Sequence, residues 1–249
     1  MPSVYTDSVR AYRQELLARA GEQAFQVVVA QTDLFVLAAR DLGREVAAFV
    51  SDLRRGLETY ILLHPDFRTS LTPVAVGDDA PAIARDMAEA AARFGVGPFA
   101  AVAGAFSQAV ADAFAAASPE IVVENGGDIF LRGAAARTVA LLARPVDGAR
   151  LALTFEPARL PAAVCASSAT VGHSLSLGEA DMVTVVADRG AVADAAATAL
   201  GNMLRTHADL PAVLATAESL RRRGVRGVFA QLGELVGVVG DVELAAIEA

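Results

Sequence analysis

The chain of 249 residues contains no lysine; all 21 of its basic side chains are arginines. Schiff-base chemistry and the phosphate-gripping lysine of a Walker loop are therefore excluded. Cysteine occurs once, at Cys165, which rules out an internal disulfide and any multi-cysteine metal site. Cys165 stands between Val164 and Ala166 and reads as a small buried hydrophobe rather than a nucleophile. Tryptophan is absent and aromatics make up only 6 %, so small side chains must fill the core and helices can approach a sheet closely. A basic surface is lacking too. The net charge of −8 disfavours nucleic acid and anionic membranes as partners, since both need a positive face. Long apolar runs are missing. The most apolar stretch, FGVGPFAAVAGAF at 94–106, runs into Ser107, Gln108 and Asp112 and falls short of the roughly 20 residues a bilayer requires. The opening MPSVYTDSVRAYRQELLARAG mixes Asp, Glu and Arg with apolar residues and has no signal-peptide core. A cytoplasmic location is expected.

What is present is apolar and alanine-rich. Hydrophobic residues reach 54 %, enough for a sizeable core, and no linker of low complexity divides the chain. It is read as one domain over 1–249. Two β-branched runs around Gln31, Thr32 and Asp33 predict a hairpin at 24–38. Apolar residues at threes and fours predict a helix over 42–63, and 65–79 is read as an extended connection. Pro81 opens a second helix of about 13 residues, and 100–117 a long Ala-rich third. Strands are expected at 121–125, 128–133, 138–143, 150–155, 162–168 and 182–187, helices near 191–206 and 210–223, and a closing hairpin at 227–240. Hairpin, helices, strands, helices, hairpin is the order of an α+β domain, with a mixed or antiparallel β-sheet and helices packed on its faces. The Ala- and Val-rich composition is compatible with a homodimer.

Three segments carry polar groups where structure alone does not demand them. In IVVENGGDIFLRG (121–133), Asn125, Gly126, Gly127 and Asp128 interrupt an apolar strand. Two glycines permit positive φ and close approach of a ligand, and their amides suit a phosphate or a ring edge. The same residues are also the strongest short-range hairpin signal. In VCASSATVGHSLSLGEAD (164–181), Ser167, Ser168, Thr170, Ser174 and Ser176 offer hydroxyls, with Gly172 and His173 among them. His173 suits phosphate or proton transfer, but no Asp or Glu stands at catalytic-triad spacing. A polar loop with capping serines uses the same residues. In DRGAVADAAATALGNM (188–203), Asp194 and Thr198 are four apart and share one helix face. Only alanines surround them, so two hard oxygens are left accessible to Mg²⁺. The alternative has Asp194 serving the helix dipole and Thr198 bonding a carbonyl.

In their order, GVGPFAAVAGAFSQAVADAF, VENGGDIFL, ASSATVGHS and ADMVTVVADRGAVADAAATAL resemble the ApbE-like superfamily, in particular its short cytoplasmic branch. The resemblance spans about 11–240. Its characterised members are FAD:protein FMN transferases, which bind FAD and Mg²⁺ and pass FMN to a Thr or Ser of a protein acceptor. The resemblance implies an α+β fold related to a duplicated T-fold, and a nucleotide site at Asn125, Gly126, Gly127, Asp128, Ser167, Ser168, Thr170 and Gly172. It implies Mg²⁺ on Asp194 and Thr198, joined by a backbone carbonyl near Ala101 to Ala103, and catalytic roles for His173 and Asp194. The chain departs from the family twice. HSLSLGEADMVTVV lacks the Asp-Pro-x-Thr-Gly loop, and Ala103-Gly104 stands where a Lys-Gly is usual. A flavin or nucleotide carrier without turnover, or another small-molecule enzyme using the same pocket, are the alternatives.

Overall fold

The computed structural model describes residues 19–146, 149–169 and 177–247. The expected opening hairpin is present as β1 (Gln23–Val29) and β2 (Thr32–Ala38). Helix α1 (Gly43–Leu63) buries Val46, Val50, Leu57 and Tyr60, the stripe its apolar spacing predicts. The 65–79 connection is not wholly extended. Asp66–Thr69 forms one helical turn, α2, pinned by the buried Phe67. Helix α3 (Ala82–Phe94) starts after Pro81 and ends at Gly95, whose φ of 72° is the left-handed stop glycine supplies. A 3-10 turn, Pro98–Ala101, leads into α4 (Val102–Ala113). The helix is shorter than the 100–117 expected because alanine content alone does not mark where packing ends.

Strands β3 (Ile121–Asn125), β4 (Asp128–Arg132), β5 (Arg137–Ala140), β6 (Arg150–Phe155), β7 (Ala162–Ser167) and β8 (Met182–Ala187) follow. Then come α5 (Gly190–Met203), α6 (Leu210–Leu220), the hairpin β9 (Val225–Leu232) and β10 (Leu235–Gly240), and β11 (Leu244–Ile247). Eight strands form one sheet in the order β1-β2-β3-β4-β7-β8-β9-β10, and three form a second in the order β11-β6-β5. Every named strand pairing is antiparallel, so of the mixed and antiparallel alternatives the second holds.

Strand alternation divides the core. Val36, Val123, Phe130, Ala163, Val185 and Val228 point to one face and pack under the helices. Leu37, Val122, Leu131, Val164, Val186 and Phe229 point to the other, where Val139, Leu153 and Phe155 of the small sheet cover them. The α+β class is as expected, with the helices on one face and a second sheet on the other.

An ion-pair fork ties the two sheets. Arg137 of β5 donates from Nη1 to Glu22 Oε2 at 3.0 Å, from Nη2 to Glu22 Oε1, and from Nη2 to Glu120 Oε2 at 3.3 Å. The Arg137 and Glu22 side chains are only 6 and 7 % exposed. Arg137→Ala should cost about 3 kcal/mol, because it takes the charge partner from the buried Glu22 carboxylate and leaves it the Arg19 amide. The Arg137 contacts outweigh the opposing effect of burial and hold Glu22 below its ordinary value of 4.5. Their contribution is therefore present above pH 4.5 and fades as the pH falls through the lowered value. Denaturant titrations of the variant and wild type should draw together as the pH falls below 4.5.

Candidate functional site

Two glycines decide where the site forms. Helices α4 and α5 cross with Gly104 and Gly190 back to back. A β-carbon on Gly104 would drive into the Gly190 carbonyl oxygen and lie 2.9 Å from Asp194 Cβ, and one on Gly190 would meet the Gly104 carbonyl. Bare backbone contact lets each helix cap the other. Asp194 Oδ2 of α5 accepts the Gly104 amide at 2.9 Å, near the start of α4. Gln108 Oε1 of α4 accepts the Gly190 amide at 2.8 Å, at the start of α5. Both supply acceptors to amides that lack an intrahelical partner.

Asp194 and Thr198 line a cleft of about 420 Å³ together with Asp128, Asn202, Ala103 and Phe99. The helical spacing therefore does place its two oxygens on one accessible wall. Asp128 opens β4 and is buried at 7 % exposure. Its Oδ1 accepts the Ala166 amide at 3.2 Å, and its carbonyl accepts the Ser107 hydroxyl at 2.8 Å.

Burial dominates the electrostatics. It pushes the Asp194 carboxyl up to about 7, against the lowering effect of the Gly104 and Ala103 amides. Asp128 is raised well above the ordinary range by burial first and then by the charge of Asp194, while the Ala166 amide opposes both. Cys165 is fully buried, as its neighbours in sequence suggest. Its thiol is pushed up by burial and by the two nearby carboxylates, which makes it unreactive. Two buried carboxylates, one of which raises the proton affinity of the other, hold a proton or attract a cation. Asp128, Asp194, the Thr198 hydroxyl and the Asn202 amide oxygen are hard donors. Among the described residues no group of three or more His, Cys, Asp or Glu could hold a metal ion. An ion that keeps waters and ligand oxygens, as Mg²⁺ does, fits this set better than one needing an all-protein cage.

The other expected residues divide. Asn125 ends β3, and its Nδ2 donates to the Ala103 carbonyl at 3.3 Å. It borders a second cleft that shares Ala103, Val102, Phe99 and Arg68 with the first. Gly126 and Gly127, at φ 70° and 105°, are the two-residue turn of the β3–β4 hairpin, in which Asn125 pairs with Asp128. The Gly127 amide is not offered to a ligand, because Glu124 Oε1 accepts it at 2.7 Å. Gly127 borders a small apolar cavity between the sheets instead of the Asp194 cleft. Ser167 is half-buried against Gly201 of α5, and Ser168 is buried. Thr170, Gly172 and His173 lie outside the described residues. The Gly95-Val96-Gly97-Pro98 step is structural: Gly95 terminates α3, and Gly97 leaves space for the Ser70 carbonyl.

Some lining residues were not singled out from sequence. Asn202 is one helical step beyond Thr198, so extending the Asp194–Thr198 spacing would have found it. Its Oδ1 accepts the Leu177 amide at 2.9 Å. Arg68 and Phe99 sit on a short turn and a 3-10 segment, where no periodicity points to them.

A profile of the family described as AbpE bacteria matches residues 14–244. A UPF0280 protein of Methanocaldococcus jannaschii is 37 % identical over 225 residues, covering 87 % of this chain and 90 % of its own. One from Methanococcus maripaludis is 42 % identical over 195 residues, covering 76 % and 78 %. Among solved structures, the flavin transferase ApbE of Vibrio cholerae superposes with a TM-score of 0.54 at 14 % identity, over 88 % of this chain and 96 % of that one. The flavinyl transferase ApbE of Pseudomonas stutzeri gives 0.55 at 18 % identity, over 88 % and 93 %. At such identities the likeness is one of fold.

Proposed function

The chain belongs to the AbpE bacteria family, and from that premise we propose that it is a Mg²⁺-dependent enzyme acting on the pyrophosphate of FAD. One observation supports this above the rest: Asp128, Asp194 and Thr198 share a cleft of about 420 Å³ that offers a divalent cation oxygen donors on one side and leaves space for a nucleotide on the other. The fold likeness to a flavin transferase and a flavinyl transferase supports a flavin as the substrate class.

Asp194 and Thr198, with the Ala103 carbonyl near the same wall, would hold the cation, and Asp128 lines the cleft beside them. When bound, it neutralises the pyrophosphate charge and polarises the bond being broken. The protein's part is to place and dehydrate the reacting groups. The Gly104 amide fixes the Asp194 carboxylate at the start of α4. Phe99, Val102 and Leu177 supply apolar walls. An oxygen of water, or of a Ser or Thr on a protein acceptor, attacks the FMN-side phosphorus as the bond to the bridging oxygen breaks and AMP departs. Asp128, whose burial raises its proton affinity, is suited to take the attacking proton. The family resemblance assigns His173 a place at the transferred phosphate. It assigns Ser167, Ser168, Thr170 and Gly172 to the nucleotide.

Two observations favour a second reading, a flavin or nucleotide carrier without turnover. The Gly127 amide is occupied by Glu124 and Ala103-Gly104 replaces a Lys-Gly, so fewer groups remain to stabilise a transferring phosphate. Incubation of the protein with FAD and Mg²⁺, followed by chromatography, separates the two. FMN and AMP appear if the enzyme reading is right, and fall by at least roughly 100-fold in Asp194→Ala. Saturable quenching of flavin fluorescence with FAD intact supports the carrier. FAD that is neither bound nor cleaved removes both.

A further inference from the structure

We propose that Arg68 is the anion clamp of this protein, gripping the phosphate groups of a nucleotide from the ridge between two adjoining clefts. The proposal rests on the reading above only in taking the Asp194 cleft as the ligand site.

Arg68 lines both the Asp194 cleft and its neighbour of about 430 Å³, alongside Phe99, Val102 and Ala103. Its guanidinium carbon stands 6.0 Å over the Phe99 ring. Among the described residues its guanidinium makes no hydrogen bond or ion pair. The other guanidinium of the second cleft is already engaged. Arg54 donates to Thr32 Oγ1 at 2.7 Å, to Gln31 Oε1 at 2.8 Å and to Glu58 Oε1 at 2.5 Å. A chain without lysine draws its fixed positive charge for an anion chiefly from arginine, and the Gly127 amide is spent on Glu124. Asp128 and Asp194 on the same cleft wall repel an anionic ligand, so a phosphate gains from a fixed positive charge in addition to the cation. Arg68 is that charge.

Its footing is rigid although its head is exposed. The neighbouring Phe67 is fully buried, edge-on to Tyr60 at 5.3 Å and to Phe99 at 6.4 Å. The segment that follows lies against Gly97, where a β-carbon would run into the Ser70 carbonyl and lie 3.1 Å from Leu71 Cα. A planar fork on a fixed base, within cation–π reach of a ring, loses less freedom than a lysine when it binds two phosphate oxygens. The ligand class is a phosphate or pyrophosphate, free or within a nucleotide.

The test is calorimetric titration of inorganic pyrophosphate in excess Mg²⁺ into wild type, Arg68→Ala and Arg68→Lys, with FAD titrated in parallel and Mg²⁺ titrated alone. Arg68→Ala should weaken pyrophosphate binding by roughly 10- to 100-fold. Lysine should restore only part of it, since it lacks the fork. Mg²⁺ affinity without pyrophosphate and the unfolding temperature should match wild type. A parallel loss for FAD places the gripped group inside a nucleotide; a loss for pyrophosphate alone makes a free anion the ligand, and both support the clamp. Pyrophosphate bound by Arg68→Ala as tightly as by wild type, or not bound by wild type at all, overturns it. Neither result touches the metal reading, which is lost only if wild type fails to bind Mg²⁺.

Discussion

Asp194→Asn is expected to abolish Mg²⁺ binding and, in the metal-free protein, to raise stability at pH 8. Burial lifts the Asp194 carboxyl from 3.8 to about 7. Between those values the folded chain holds a proton that the unfolded chain has released. Wild-type stability should therefore fall as the pH rises from about 4 to about 7, then level off. The loss amounts to at most about 4 kcal/mol, since each tenfold gain in proton affinity is worth about 1.4 kcal/mol. Asn keeps an oxygen for the Gly104 amide and never ionises, so this slope should flatten in the variant. Asp128, raised in the same direction, leaves a residual slope. Added Mg²⁺ should reverse the wild-type deficit at pH 8, by about 2.7 kcal/mol at a hundred times its dissociation constant, and should leave Asp194→Asn unchanged. Urea midpoints at pH 5 and pH 8, with and without Mg²⁺, read all of these effects. A wild-type stability that is flat with pH, or an equal Mg²⁺ response in the variant, would count against the carboxylate pair as a cation site.

Gly104→Ala carries the second large effect. One methyl group must fit where the Gly190 carbonyl and Asp194 Cβ already lie. Both are held by helix backbone, so α4 and α5 have to part. That should cost about 3 kcal/mol and lower the melting temperature by roughly 6 to 12 °C. It should also weaken Mg²⁺ binding, since the Gly104 amide that orients Asp194 moves away. Gly56→Ala is the control. Gly56 lies inside α1, where an added β-carbon would meet nothing within 4 Å, and the same change there should stabilise by about 0.5–1 kcal/mol. Thermal melts of the two variants should shift in opposite directions. A Gly104→Ala protein as stable as wild type would mean that the crossing is looser than the Gly104–Gly190 contact implies.

The glycine crossing also shows why only part of the site was legible in the sequence. Asp194 and Thr198 could be placed together because helical spacing is local. That Asp194 would meet the Gly104 amide, 90 positions away, depends on two glycines whose contact leaves no periodic trace. Asp128 was found for its polarity within an apolar strand, and it does line the cleft. The adjacent Gly126-Gly127 was ambiguous because turn chemistry and phosphate chemistry use the same residues. The turn claims their conformation, and Glu124 claims the Gly127 amide. Most of the large sheet was legible from β-branched runs bounded by turn residues. The strand Leu244–Ile247 was not, since four short residues, two of them alanine, carry no strand signal until β6 pairs with them. Arg68 escaped for a similar reason: it lies on a single helical turn in a stretch whose prolines suggested extended chain.

The most direct test of the account is anomalous diffraction from a crystal soaked in Mn²⁺ and FAD. The account predicts one metal peak bonded to the Asp194 carboxylate and the Thr198 hydroxyl, with diphosphate density between it and Arg68. Metal density elsewhere, or a bound flavin away from this cleft, would contradict it.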